Sequence, residues 1–186
     1  MDLTHHFLLS MPGLANSWFR NTVTYIFEHN EDGALGFVIN RSATITAGEV
    51  FDQLEIECKY PADRQAYAYE GGPIDTERGF VLYPAKSGSL GVHCADGGYG
   101  INLSGSAEIL TLIGTGNGPE QYLLLLGYAG WEAGQLEAEI ADNAWLSCEA
   151  DTTLLFSADL DKKFAQTAQS MGIVDISQLS ADIGHA

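Results

Sequence analysis

Basic residues are what this 186-residue chain has least of: eight Lys+Arg stand against 25 Asp+Glu, giving a formal net charge of −17. Proteins that hold nucleic acid draw much of their sequence-independent affinity from lysines and arginines set against phosphates. Here Arg20, Arg41, Lys59, Arg64, Arg78, Lys86, Lys162 and Lys163 are scattered along the chain. The one adjacent pair, Lys162-Lys163, is flanked by Asp159 and Asp161. Direct nucleic-acid binding is therefore disfavoured, and the acidity reads first as a solubility device or a cold- or salt-habitat trait. Cysteine is also scarce. Cys58, Cys94 and Cys148 are odd in number, widely spaced and without a Cys-x-x-Cys. That fits small buried thiols in a reducing compartment better than a disulfide framework. Long apolar runs are missing too: no stretch approaches the ~20 residues of a spanning helix. No basic segment precedes an apolar core after Met1, so no secretory leader is expected and the predicted location is the cytoplasm.

What is present is an ordinary folding composition, 46% hydrophobic and 18% charged. Residues 1–186 are expected to form one domain around one core. The most informative stretch runs from Val23 to Arg41. It reads as two apolar strands folded back across a polar turn, with Asp32-Gly33 supplying the backbone freedom a tight reversal needs. Near-continuous apolar character predicts strands covered on both faces. Thr46 and Glu49 have capping-box spacing, predicting a helix from 47 to about 55 that buries Val50, Phe51 and Leu54. Strands are predicted at 66–70, at 80–83 before Pro84, at 101–103 and at 122–127. Ser106 opens a helix through Ile113, Gly134 to Asn143 reads as another, and Asp159 caps a last one ending at Met171 before Gly172. Trp145–Glu149 and Thr152–Phe156 read as short strands. Strands and helices do not alternate strictly, so the class is α+β, or irregular α/β.

Three places carry chemistry-bearing residues. The first is Glu28-His29-Asn30 with Arg41. Strand alternation puts His29 on the face opposite Glu28, so Glu28 cannot orient the imidazole. These residues either satisfy backbone groups around the turn or present an imidazole for ligand binding or proton transfer. The second is Gly71-Gly72-Pro73 followed by Glu77-Arg78-Gly79. Arginine makes forked bonds to carboxylate and phosphate, so this bend could hold an anion. The competing reading is an intramolecular Glu–Arg tether between loops. Neither this segment nor Gly114-x-Gly116-x-Gly118 matches a nucleotide fingerprint. The third is His93-Cys94-x-Asp96, whose neighbouring side chains point apart and cannot pair with each other. His5-His6, His29, His93 and His185 show no metal-ligand spacing, and no cofactor motif is found. Trp131 is expected as a packing anchor at a strand-to-helix bend, with pocket lining as the alternative.

Four ordered stretches resemble the bacterial YqgE/AlgH family. They are Met11-Pro12-Gly13-Leu14 with Phe19-Arg20-Asn21-Thr22-Val23; Glu28-His29-Asn30 through Asn40-Arg41; Gly71-Gly72-Pro73 with Glu77-Arg78-Gly79-Phe80; and Leu126-Gly127-Tyr128-Ala129-Gly130-Trp131 through Gly134-Gln135-Leu136 to Asn143-Ala144-Trp145. The terminal Gly184-His185-Ala186 matches as well. The resemblance implies a single compact domain with a strongly bent, partly barrel-like mixed sheet surrounded by helices. It also implies a bacterial cytosolic protein of a family sometimes labelled transcriptional regulators on indirect grounds. It brings no reaction, cofactor or catalytic residue. Many members place cysteine where this chain has Phe27, so a thiol role there cannot operate.

The expectation is then a non-catalytic regulatory or interaction protein acting through a protein partner. A module binding a small anionic ligand through Arg78, Arg41 and the Gly-Gly-Pro bend is the alternative. An enzyme built on His29 or Cys94 ranks below both.

Overall fold

The computed structural model describes residues 1–15, 17–85, 94–156 and 159–173, so Asn16, Lys86, His93, His185 and the terminal Gly-His-Ala lie outside the described residues. Strands and helices intermix along the chain, which is the α+β class expected. The chain divides into two compact units, Met1–Arg41 with the described part of Ala129–Ala186, and Ser42–Tyr128.

The first unit is built on the predicted hairpin. Strand β1 (His6–Ser10), β2 (Val23–Asn30), β3 (Gly33–Val38), the second half of β9 (Leu123–Glu132) and β10 (Trp145–Glu149) are joined in the order β10-β1-β2-β3-β9, all antiparallel. Val23 through Phe27 are all buried, as a strand covered on both faces requires. Burying Tyr25, Ile26 and Phe27 contributes roughly 1.5–3 kcal/mol each. Asn30 pairs with Gly33, so Glu31-Asp32 form the loop. Gly33 carries the positive φ of 134°, and a Cβ there would collide with the Trp131 carbonyl oxygen. Ile26 pairs with Gly36 and Glu28 with Leu35, leaving Phe27 as an extra, bulged residue.

Helices α4 (Gln135–Ala141), α5 (Thr152–Leu155) and α6 (Leu160–Ser170) complete this unit. The segment Thr152–Phe156, predicted as a strand, is helical instead. Its β-branched threonines are outweighed by Asp151, whose side chain accepts the Leu154 N–H at 2.8 Å and caps the turn. Lys162 and Lys163 part company. Lys162 stays outside and pairs with Asp159 at 2.6 Å. Lys163 is fully buried, its ammonium donating to the Ile39 carbonyl at 3.1 Å and the Leu155 carbonyl at 2.9 Å. Burial lowers its pKa to about 8.

The second unit contains β4 (Ser42–Thr46), α1 (Ala47–Gln53), α2 (Pro61–Gln65), β5 (Tyr67–Glu70), β6 (Ile74–Pro84), β7 (Ala95–Asp96), β8 (Ile101–Ser104), α3 (Ala107–Thr115) and the first half of β9. The strand order is β4-β5-β9-β6-β8-β7, with β5 parallel to β9 and the other pairs antiparallel. Thr46 and Glu49 form the expected reciprocal cap on α1, and Ser106 caps α3 by accepting the Glu108 N–H. The core gathers Phe51, Val81, Tyr83, Ile109 and Leu124. Two expectations are corrected. Strand β6 begins six residues earlier than Phe80, so Glu77 and Arg78 lie on a strand rather than in a loop. Helix α1 ends at Gln53, and Leu54, expected in the core, is 48% exposed.

Candidate functional site

The polar residues at the hairpin end are consumed by the fold. His29 sits where the bulge at Phe27 has reset the strand, and it is buried between exposed Glu28 and Asn30. Its Nδ1 accepts the Leu3 backbone N–H at 3.0 Å. That leaves Nε2 to carry the ring proton and face Glu137 Oε1 at 3.1 Å. Thr4 Oγ1 accepts the His29 N–H at 3.1 Å and donates to its carbonyl at 3.4 Å. Asn30 donates to Glu28 Oε1 at 2.7 Å and accepts the Asp32 N–H at 2.8 Å. Both imidazole nitrogens are thus occupied, and neither is open to take a substrate proton. The arrangement ties the N-terminal residues to β2 and α4.

Arg41 does not join this cluster. Its guanidinium donates to the Trp18 carbonyl at 2.8 Å and the Arg20 carbonyl at 3.1 Å, and it lies 4.4 Å over the Trp18 ring. Trp131, the next-to-last residue of β9, donates its indole N–H to Glu139 Oε2 at 2.9 Å, and Trp145 donates to the same oxygen at 2.8 Å. Phe19 stacks against Trp131 at 6.3 Å and meets Trp145 edge-on at 5.3 Å. This is a packed aromatic cluster held by one carboxylate. Nothing local in the sequence points to Glu137 or Glu139 as these partners. A second buried imidazole, His5, meets the Tyr25 hydroxyl at 3.1 Å, and burial lowers its pKa.

In the Ser42–Tyr128 unit the Gly-Gly-Pro bend and Arg78 have different fates. Gly71 and Gly72 are buried, and the Gly71 N–H donates to the Leu126 carbonyl at 2.8 Å. A Cβ on Gly71 would collide with the Gly127 carbonyl oxygen, so the glycine serves backbone-on-backbone approach. Pro73, Glu77 and Arg78 reach the surface, where they border a shallow depression together with Asp75 and Thr76.

Glu77 and Arg78 also rim a larger groove of about 490 Å³. Its walls are mostly apolar, with Gln53, Thr76, Ser104 and Ser106 also in the lining. The apolar residues come from separate elements: Val50 on α1 and Leu54 just past its end, Val81 on β6, Leu110 on α3, and Leu124 and Leu126 on β9. The Arg78 guanidinium lies 4.9 Å over the Phe80 ring, and its Nη2 is 3.7 Å from where a Cβ on Gly105 would stand. Among the described residues no carboxylate lies within ion-pair distance of Arg78. Of the residues bordering this groove, the sequence singles out Glu77, Arg78 and Gly79; Leu54, expected in the core, is left open at its wall instead.

Cys94 is exposed, and its sequence neighbour His93 lies outside the described residues. The Tyr83 hydroxyl is pushed up to about 12 by burial first and by contact with Cys94 second. Among the described residues no group of His, Cys, Asp and Glu could hold a metal ion, and no helix is long and apolar enough to cross a membrane.

Residues 7–175 match the family model described as AlgH-like (DUF179). The chain is 47% identical over 185 residues to the UPF0301 protein AlgH of Pseudomonas aeruginosa, covering 99% of this chain and 96% of that protein. It is 43% identical over 186 residues to a UPF0301 protein of Pseudoalteromonas translucida, covering 100% and 99%. The solution structure of the Pseudomonas aeruginosa AlgH protein superposes with a TM-score of 0.79 at 45% identity, covering 100% of this chain and 97% of that one. A crystal structure of a Corynebacterium diphtheriae protein shares the fold alone, with a TM-score of 0.67 at 18% identity over 92% of this chain and 90% of the other.

Proposed function

This chain belongs to the AlgH-like family, and on that footing we propose that it is a non-catalytic, cytoplasmic regulatory protein that works by binding. The recognition surface in this reading is the groove of the Ser42–Tyr128 unit. One observation carries it: an apolar groove of about 490 Å³ is rimmed by a guanidinium without a carboxylate partner among the described residues. Ligand sites are commonly concave, mostly apolar and furnished with a few placed polar groups, over about 300–1,000 Å³. The occupied imidazole of His29 speaks against the competing enzymatic reading. A net charge of −17 speaks against regulation by direct contact with nucleic acid.

The test is retention. The intact protein is equilibrated with a bacterial small-molecule extract, washed, and the compounds held are identified by mass spectrometry. A Gly79→Leu chain runs alongside. Gly79 lines the groove and a Cβ there meets nothing within 4 Å, so leucine at this position is placed to obstruct the groove from a site with room for its first carbon. Compounds held by the native chain and lost from the variant support the reading; identical retention by both chains overturns it. A second reading, in which the groove takes an apolar anchor from a protein partner, draws on Leu54, 48% exposed at the groove wall. Nuclease-treated lysate capture with the same pair of chains separates the two.

A further inference from the structure

Resting on that groove reading, we propose that the ligand is a medium-chain aliphatic monocarboxylate, its chain against the apolar walls and its head on Arg78. The walls choose the tail. Val50, Leu54, Val81, Leu110, Leu124 and Leu126 offer neither donor nor acceptor side chains, so what lies against them gains by leaving water and by nothing else. The volume of about 490 Å³ lies within the range of small-molecule sites and leaves room for a single alkyl chain of medium length.

The rim chooses the head. Arg78 is the one base among the lining residues. A single guanidinium presents two parallel N–H bonds to a carboxylate, whereas a doubly charged phosphate would call for a second cation. Phe80 beneath the guanidinium at 4.9 Å fixes one face and leaves the N–H edges free to point at a ligand. Ser106 adds a donor. Its oxygen already accepts the Glu108 N–H at 3.1 Å, which leaves the hydroxyl proton for an incoming oxygen. One group opposes the assignment. Glu77 shares the rim, and its charge repels a bound carboxylate. That opposition makes the head group testable by sign: neutralising Glu77 tightens a carboxylate and loosens an ammonium.

Calorimetric titration of the intact protein with decanoate, 1-decanol and decylamine, each below its aggregation concentration, tests the proposal. The native chain is compared with Arg78→Met, Glu77→Gln and Gly79→Leu, each first shown to unfold cooperatively. Decanoate is expected to bind the native chain, at least about tenfold more weakly to Arg78→Met, more tightly to Glu77→Gln, and not at all to Gly79→Leu. Decanol affinity equal to that of decanoate, unchanged binding by Arg78→Met, or decylamine tightening in place of decanoate would each overturn the assignment. Absence of decanoate binding also overturns it. If the extract experiment still shows a compound lost from Gly79→Leu, the groove reading survives that outcome and only the carboxylate class falls.

Discussion

The hairpin end around His29 and the groove around Arg78 treat their polar side chains in opposite ways. At the hairpin, Glu28, His29 and Asn30 stand side by side in sequence, and the fold spends them on itself. Leu3 and Glu137 take the two ring nitrogens, Thr4 takes the His29 backbone, and Glu28 holds Asn30. At the groove, one arginine meets an aromatic face and, among the described residues, no acid. A dense polar motif is thus no better a sign of a site than a lone charge. Buried polar groups must find partners within the protein, so a motif that folds inward is satisfied there. In the proposed reading, the group left for a ligand is the one whose partners the fold withholds.

The largest effect that would sharpen this contrast is at the hairpin. His29→Ala removes both ring contacts and leaves the Leu3 N–H without its acceptor, so urea unfolding should show a loss of about 3 kcal/mol. Groove binding in the folded variant should be unchanged. Unchanged stability with lost binding would reverse the roles assigned to the two regions. Lys163 comes next, as a buried cation on the scaffold side. Its folded pKa is near 8, while a lysine in the unfolded chain keeps its proton to about 10.4. Between those values the unfolded chain binds more protons, so stability attributable to this residue rises with pH. Relative to Lys163→Met, the native chain should gain roughly 2 kcal/mol between pH 8 and pH 10, read by denaturant unfolding at each pH. A difference independent of pH would mean that the ammonium is not held in a low-dielectric site. The smallest effect is at the groove. Arg78→Met should change unfolding free energy by less than about 0.5 kcal/mol, because no carboxylate among the described residues depends on it. A larger loss would make Arg78 part of the scaffold and erase the contrast.

Much of the scaffold was legible before any coordinates. The Thr46–Glu49 box, the Ser106 and Asp159 caps and the hairpin from Val23 stand where the sequence places them, and the buried strand expected over 122–127 begins at Leu123 but runs on to Glu132. Legibility failed where a local preference met a stronger neighbour. Thr152–Phe156 reads as a strand until Asp151 caps it. Ile74–Gly79 reads as a loop after Gly-Gly-Pro, yet Ile74 and Gly79 pair with β9. The candidate site was legible only in part. The sequence singles out Glu77 and Arg78, but it offers Gly71, Gly72, Arg41 and His29 as candidates on the same footing, and the fold gives each of these a packing or tethering role; Trp131 packs, as expected.

By itself the sequence determined the caps, the turns, the buried strands and the family, because each rests on residues within a few positions of one another or on matches along the whole chain. Only the tertiary structure decided which charges are closed and which are open. Lys162 and Lys163 are neighbours of the same type, yet one faces solvent and the other meets a carbonyl 124 residues away. Caps and turns are short-range bonds that the local chain can form alone. The partner of a buried charge, or the absence of one at a groove, depends on which distant backbones the core brings together.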